Sequence, residues 1–390
     1  MKIVHIITRL ILGGAQENTL ITCRLLAEHG HDVTLITGPA LGPEGHLYDW
    51  TRNSGFETIV VDEMRREIAP RLDRRAYKKI KRLLTELKPD IVHTHSAKAG
   101  ILGRFAAHRL KGKFGKPGFP KVVHTIHGLA FHDYQAGHLN ALYIAIERAA
   151  AKRTDAMLTV ADTMSEKALA AKLGTPDMYT TAYSAIEEDA YLAHPGQQRI
   201  ADFRRKYGLS SESVVLATVA RLAELKGHEY IIESAKKLAS RFPDCTWLFV
   251  GDGHLRSDLQ QQIQLANLSY RFKFAGMVDP SDIPMVMHAS DILVHCSLRE
   301  GLARALPQAM LAGKPVVSFD IDGAKEVVTP ETGRLIPPED VPALTEACAE
   351  LIADPNLRRQ LGQNARKKVT KQFAPETMVD TIESLYRKLV

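Results

Sequence analysis

The chain has 390 residues, 45% hydrophobic and 25% charged, with a formal net charge of +6. This is globular composition at a length that favours two domains, and no run of 18 or more apolar residues exists, which excludes a membrane-spanning helix. The excess positive charge suits nucleic acid, anionic lipid or phosphorylated ligands. Cys23, Cys245, Cys296 and Cys348 are too scattered for a Cys-x-x-Cys or zinc pattern, so they read as reduced packing residues of a cytoplasmic protein.

The opening KIVHIIT has one lysine, a short apolar stretch and no small-residue cleavage site after it, so it reads as a buried strand and not as a leader. Gly13-Gly14-Ala15 then turns the chain into a helix over Ala15–Glu28. Glycines at such a turn let the helix N-terminus offer free N–H groups to an anion, although any strand-to-helix turn favours glycine. Further Val/Ile-rich strands follow in DVTLIT, ETIVV, DIVHTH, KVVHTIH and AMLTVA, with helical patterns at Arg74–Leu87 and Leu139–Lys152. Short continuous apolar strands separated by helices indicate a parallel sheet covered on both faces.

Two features of this half carry chemistry. Arg65 to Arg82 contains nine basic residues against Glu67 and Asp73, with Tyr77, Ile80, Leu83 and Leu84 interspersed. That pattern fits a solvated helix face or a contact with an anionic membrane surface. It lacks the aromatic stacking platform of a nucleic-acid module. His93, His95, His124, His127 and His132 cluster in the sequence, but no carboxylate lies between them at ligand spacing. His124 and His127, three apart on a strand, face opposite sides, which argues against a metal.

Tyr183–Gly196 shows neither helical nor strand periodicity and marks the junction between an N-terminal domain, 1–186, and a C-terminal domain, 187–374. Strands resume with VVLATVA, TWLFVGDG, RFKFAG, DILVHCS and PVVSFD. The last segment, 375–390, reads as a helix with Met378, Ile382, Leu385 and Leu389 at helical spacing, packing back on the first domain. The expected fold is α/β, with two doubly wound Rossmann-like domains facing across a cleft at the carboxyl ends of their strands.

Arg221 and Lys226 share the loop after VVLATVA, just before a helix starting near Gly227. Two cations beside a helix N-terminus suit a diphosphate, although they also read as surface charges. Gly251-Asp-Gly253 lacks the third glycine of a dinucleotide fingerprint, so it speaks against a nicotinamide or flavin site and fits a structural turn equally well. Glu300-Gly301 follows DILVHCS. The pattern predicts a helix over Ala303–Ala312, with Pro307 in its first turn and Gly313 as its stop. The amides of Gly301, Leu302 and Ala303 would then lie at a positive helix end with Glu300 at its mouth, able to grip vicinal hydroxyls. Asp320-Ile-Asp322 reads as a strand end and turn. No Walker loop and no G-x-S-x-G elbow is present.

The segments GGAQ, PDIVHTHSAKAGILGRFAA, HTIHGLAFHDYQ, VARLAELKG, FVGDGHLRSDL, FAGMVDPSDI and REGLARALPQAMLAGKPVV resemble glycosyltransferase family 4, in order and over nearly the whole chain. The resemblance implies the GT-B fold and transfer of a sugar, with retention, from a nucleotide diphosphate sugar (UDP-linked), without metal or cofactor. It implies that Glu300 is the first glutamate of the family's E-x7-E pattern, gripping donor-sugar hydroxyls. Arg221 and Lys226 would hold the diphosphate, approached by Gly13 and Gly14. His127 would lie near the sugar's distal hydroxyl, and Met277 and Val278 near the base. Gly251, Gly301, Leu302 and Ala303 complete the donor site so implied.

The departure is Gln308, where the pattern has its second glutamate, the acceptor for ribose hydroxyls. Glutamine offers one acceptor and two donors without charge. This leaves open a non-catalytic nucleotide-sugar-binding relative, beside a sugar-nucleotide epimerase of the same architecture. The expected acceptor is a saccharide or lipid-linked precursor of an envelope polysaccharide. The expected location is cytoplasmic, peripheral at the inner face of the membrane.

Overall fold

The computed structural model describes residues 1–41 and 45–390. The chain divides into two compact units, Met1–Ala185 with Pro375–Val390, and Ile186–Ala374. The first unit contains β1 (Lys2–Ile7), α1 (Gly14–Glu28), β2 (Asp32–Thr37), β3 (Glu57–Val60), α2 (Pro70–Leu87), β4 (Ile91–His95), α3 (Ala97–His108), β5 (Lys121–Ile126), α4 (Gly137–Ala151), β6 (Ala156–Thr159), α5 (Asp162–Ala170) and β7 (Tyr179–Thr181). The second contains α6 (Asp189–Leu192), α7 (Gln197–Lys206), β8 (Val214–Val219), α8 (His228–Arg241), β9 (Cys245–Val250), α9 (Arg256–Leu265), β10 (Phe272–Gly276), α10 (Ile283–Ala289), β11 (Ile292–His295), α11 (Ala305–Leu311), β12 (Val316–Phe319), α12 (Ala324–Val327), β13 (Gly333–Ile336), α13 (Val341–Ala353) and α14 (Pro355–Val369). The last helix, α15 (Pro375–Leu389), packs on α1 of the first unit.

Among the described residues the first sheet runs β3-β2-β1-β4-β5-β6-β7 and the second β10-β9-β8-β11-β12-β13. Every strand pair is parallel. The expected pair of Rossmann-like α/β sheets is therefore present. Each order reverses once, between β1 and β4 and between β8 and β11. Loops leaving the carboxyl ends of two such neighbours lie side by side, and this is where open α/β sheets bind ligands.

Alternation along the strands builds a core on each side of a sheet. Ile3 and Ile7 of β1 share a core with Leu20 and Leu26 of α1 and with Met378, Ile382 and Tyr386 of α15. Val4 and Ile6 turn to the other face, against Ala76, Ile80 and Leu84 of α2 and Ala99 and Ala106 of α3. The ETIVV run is not a buried strand: β3 is the sheet's edge, and its side chains are only half-buried or exposed. In the second unit Trp247 stacks on Phe272, which meets Phe249 edge-on, within the core beneath α8 and α13.

α2 opens with Pro70 in its first position and ends at Lys88 in the left-handed conformation. Its apolar residues do not face outward as the sequence reading had them. Ile80 and Leu84 are fully buried, and Tyr77 and Leu83 pack against the same core, because helical spacing puts all four on the sheet side. The exposed face is left mainly to charged residues.

Candidate functional site

The second unit's reversal point brings together residues from three loops. The loop 221–227 leaves β8 and ends at Gly227, which caps α8 at φ 70°. A Cβ at Gly227 would lie 1.9 Å from the carbonyl oxygen of Cys296, so only glycine lets this loop rest on the segment after β11. The Leu298 N–H donates to the Leu225 carbonyl at 2.9 Å and ties the two loops together. The result is that the Lys226 ammonium donates directly to Glu300 Oε1.

His295, the last residue of β11, brings Nε2 to 3.6 Å from the same oxygen. Burial alone would raise the Glu300 pKa, but Lys226 and His295 outweigh it and hold the carboxyl well below the usual range. Lys226 and Glu300 side chains keep 19% and 22% of their exposure, so the pair is shielded yet reachable by a ligand.

The third loop fixes the backbone of this corner. Asp322, at φ 45°, accepts the Glu300 N–H on Oδ2 at 2.7 Å. The Gly323 N–H donates to the Gly301 carbonyl at 3.0 Å. The Asp-Ile-Asp segment is thus a turn that holds Glu300 in place.

These bonds also correct the helix expected from Ala303. The 300–304 segment is drawn toward the 322–323 turn, and α11 starts at Ala305 and spans seven residues. Gly301, Leu302 and Ala303 lie buried in the bend before it, so their amides are not the first turn of a longer helix. Pro307 does fall in the first turn of α11, and Gly313, at φ 73°, follows its end.

Arg221 is exposed, and its guanidinium has no bonded partner among the described residues. The backbone beneath it is firmly held: Ala220 N–H donates to the Val250 carbonyl at 3.0 Å, and Leu222 N–H to the Asp252 carbonyl at 3.1 Å. Gly251 permits this, since a Cβ there would lie 2.1 Å from the Ala220 carbonyl oxygen. The glycine is therefore explained by close packing against the Arg221 loop. Gln308 is half-buried on an otherwise buried helix, one turn from Arg304, and its amide has no partner among the described residues. Met277 follows β10, two strands from β8, and is 50% exposed, whereas Val278 packs partly against Val215 and Val286.

In the first unit Gly13 is the N-cap of α1 and Gly14 its first residue; the Gln16 and Glu17 amides donate to the Gly13 carbonyl at 3.1 and 3.0 Å. His127 stands one residue beyond β5, half-buried, with Nε2 3.1 Å from His95 Nδ1. His95 Nε2 in turn lies 2.9 Å from His5 Nδ1. His93 bonds Tyr386 through Nδ1 and Thr125 through Nε2. His124, on the opposite face, bonds Thr94 at 2.9 Å. Burial keeps the four inner rings neutral: His5 is pushed down to about 3, and His93, His95 and His124 lie well below their ordinary value.

His5, His93 and His95 place ring nitrogens within 4.8 Å of one another, the group best able to hold a metal among the described residues. Five of their six nitrogens are already hydrogen-bonded, so an ion would have to break bonds to Tyr386, Thr125 or His127. No carboxylate stands among the three rings to balance its charge.

The sequence reading missed His5, Gly227, His295 and Asp322 as parts of these arrangements. A histidine inside the apolar run KIVHIIT was the one local signal for His5, while the contacts of the other three join distant loops.

Two family models match the chain: "Glycosyltransferase Family 4" over residues 12–186 and "Glycosyl transferases group 1" over residues 199–368. The UDP-Gal:alpha-D-GlcNAc-diphosphoundecaprenol alpha-1,3-galactosyltransferase of Escherichia coli is 31% identical over 395 residues, covering 100% of this chain and 97% of that protein. Among solved structures, Anabaena HepE in complex with UDP superimposes with a TM-score of 0.81 at 21% identity, over all of both chains. WaaG, a glycosyltransferase of lipopolysaccharide biosynthesis, gives 0.75 at 18% identity, over 100% of this chain and 99% of that one. The chain belongs to the group 1, family 4 glycosyltransferases of GT-B fold.

Proposed function

We propose that the enzyme moves a sugar from a UDP-linked donor to a saccharide or lipid-linked acceptor, with retention and without a metal ion, at the inner face of the membrane. The observation that carries this reading is the Lys226–Glu300 pair at the strand-order reversal of the second unit, in the loop that also carries the exposed Arg221. A donor diphosphate would draw Lys226 off Glu300 and join it to Arg221. The released carboxylate would then accept sugar hydroxyls. The Escherichia coli relative, a UDP-Gal-dependent galactosyltransferase, and the Anabaena structure in complex with UDP support the choice of nucleotide.

The chemistry proposed is a front-face substitution. The bond from the anomeric carbon to the diphosphate oxygen breaks as the acceptor oxygen bonds on the same face. The acceptor's proton passes to the leaving diphosphate oxygen. Arg221 and Lys226 stabilise the charge that builds there. His127 is assigned to a distal sugar hydroxyl, Gly13 and Gly14 to the diphosphate, and Met277 and Val278 to the base.

The acceptor side is assigned to the first unit. There α2 and α4 flank α3 on one face of the sheet. α2 offers charges, and α4 leaves Leu139, Leu142 and Ile146 at 38%, 53% and 37% exposure. Basic and apolar surface on one side suits an anionic bilayer or a lipid-linked phosphate. Among the described residues no helix is long and apolar enough to cross a membrane.

The test is a thermal-shift screen of nucleotide sugars, followed by transfer to lipid-linked and free saccharides in EDTA, with the product's anomeric configuration read by NMR. A raised melting temperature and a product of retained configuration are expected. Inverted configuration, or turnover lost to EDTA, would refute the mechanism. An epimer formed from donor alone would indicate the epimerase. Binding without product would indicate the non-catalytic relative, the reading that Gln308 favours.

A further inference from the structure

His5 and His95, which the reaction scheme above does not use, form a hydrogen-bonded file with His127. The file crosses three neighbouring strands. β1 and β4 are in register with His5 beside His93, and β4 and β5 with His95 beside Thr125. The period-2 alternation puts His5, His93, His95 and Thr125 on the α15 side of the sheet. His95 spans the gap, with Nε2 2.9 Å from His5 Nδ1 and Nδ1 3.1 Å from His127 Nε2.

We infer that His95, backed by His5, is a positioning residue that fixes His127 as the Nδ1–H tautomer, so that His127 meets the donor sugar as a hydrogen-bond donor. The inference rests on the donor role proposed for His127.

A neutral imidazole has one N–H and one lone pair, and the bond made by one nitrogen decides the state of the other. Burial keeps His5 and His95 neutral. The file therefore runs in one of two directions. Running inward, His127 donates from Nε2 to His95, and His95 donates from Nε2 to His5 Nδ1. His5 must then carry its proton on Nε2, a fully buried atom without a partner among the described residues. His93, whose ring centre lies 4.8 Å away, is no help, because Tyr386 and Thr125 occupy both its nitrogens.

Running outward, His5 donates from Nδ1 to His95 Nε2, and His95 donates from Nδ1 to His127 Nε2. The atom left without a partner on His5 is then a lone pair. Buried N–H groups without an acceptor are rarer in proteins than acceptors that lack a donor, and the outward direction avoids one. It leaves the His127 proton on Nδ1. A free histidine side chain favours the Nε2–H form, so this state is imposed by the fold.

The test is two-bond 1H–15N correlation NMR on the full chain labelled in histidine, with signals assigned through His127→Gln, His95→Phe and His5→Phe. The expected result is a protonated Nδ1 and a bare Nε2 on His127 in the wild type, with a shift toward the Nε2–H form in His95→Phe. A protonated Nε2 on His127 in the wild type overturns the inference, as does an unchanged tautomer in His95→Phe. If His95→Phe does not fold, the wild-type spectrum and His5→Phe decide.

Kinetics supply the second readout. His95→Phe should lower kcat roughly 10–100-fold, the range found when the partner that orients a metal-bound histidine is removed. His95→Gln, whose amide still donates to His127 Nε2, should restore part of it. Equal losses in both variants would indicate packing alone and count against the inference. The tautomer is read without any sugar, so the two proposals fail separately. Normal turnover in His127→Ala refutes the donor role, whereas a wrong tautomer beside an inactive His127→Ala refutes the file.

Discussion

Arg221 and Lys226 lie in one loop but stand differently toward the protein. Lys226 is bonded to Glu300, so its loss would strand a partly buried carboxylate. Arg221 is exposed, and its loop is held by backbone bonds to Val250 and Asp252. Arg221→Ala should therefore leave the melting temperature unchanged. If the guanidinium meets the leaving diphosphate, turnover should fall by about 10²–10³, the loss of roughly 3–4 kcal/mol of transition-state stabilisation. Near-normal kcat in the folded variant would remove Arg221 from the mechanism. Gln308→Glu asks a different question. The helix around it is buried, and the side chain itself is half-open. A carboxylate bonds hydroxyls about twice as strongly as a neutral amide oxygen, so nucleotide affinity by calorimetry should rise roughly tenfold if Gln308 faces the ribose. An unchanged Kd would place it outside the site. At this scale the sequence revealed cations and carboxylates that follow strands. It did not reveal that Gly227 must clear the Cys296 carbonyl or that Asp322 holds the Glu300 amide, because both depend on contacts between loops distant in the chain.

α2 shows how an element can be legible while its orientation is misread. Its charge was plain in the sequence, and so was its helical period. The error was to let Ile80 and Leu84 share the outer surface, when apolar residues at that spacing belong to the core unless the helix has nothing to cover. Attraction to a membrane through α2 is then electrostatic, at about 1 kcal/mol per basic residue near an anionic surface. Replacing the exposed Arg71, Arg74, Arg75 and Lys78 by glutamine should weaken sedimentation with acidic vesicles by roughly 100–1,000-fold at low salt, with little change in stability. Raising the salt should weaken wild-type binding in the same direction. Equal binding of wild type to neutral vesicles would assign the contact to the apolar side chains of α4 instead. α11 was misplaced for another reason. Gly301 disfavours a helix, and Pro307, which fits only a first turn, already points to a start later than Ala303; the bonds to 322–323 then hold the bend before it.

Across the whole molecule the buried histidines whose pKa burial lowers set the acid limit, and they are unevenly divided. His5, His93, His95 and His124 belong to the first unit, His228 and His288 to the second. Burial pushes His5 down to about 3 and His228 and His288 to about 4, with the remaining three well below 6.5. Each pKa is lower in the folded chain than in the unfolded one, so below pH 6.5 the unfolded chain binds protons that the native chain refuses. Stability is therefore full above pH 6.5 and falls as the pH drops toward 4, at up to about 1.4 kcal/mol per pH unit for each histidine. The depressed carboxyls of Glu300 and Glu383 begin to contribute only below about 4.5, outside a comparison of pH 7 with pH 5. Four such groups against two predict that the first unit loses more stability over that interval. Each unit carries one of the two tryptophans, Trp50 in the first and Trp247 in the second, so fluorescence can follow each unit separately. In urea titrations the midpoint reported by Trp50 in a Trp247→Phe variant should fall further between pH 7 and pH 5 than the midpoint reported by Trp247 in Trp50→Phe. Equal shifts, or a larger one at Trp247, would mean that the four rings of the first unit take up protons in the native state and do not govern its acid stability.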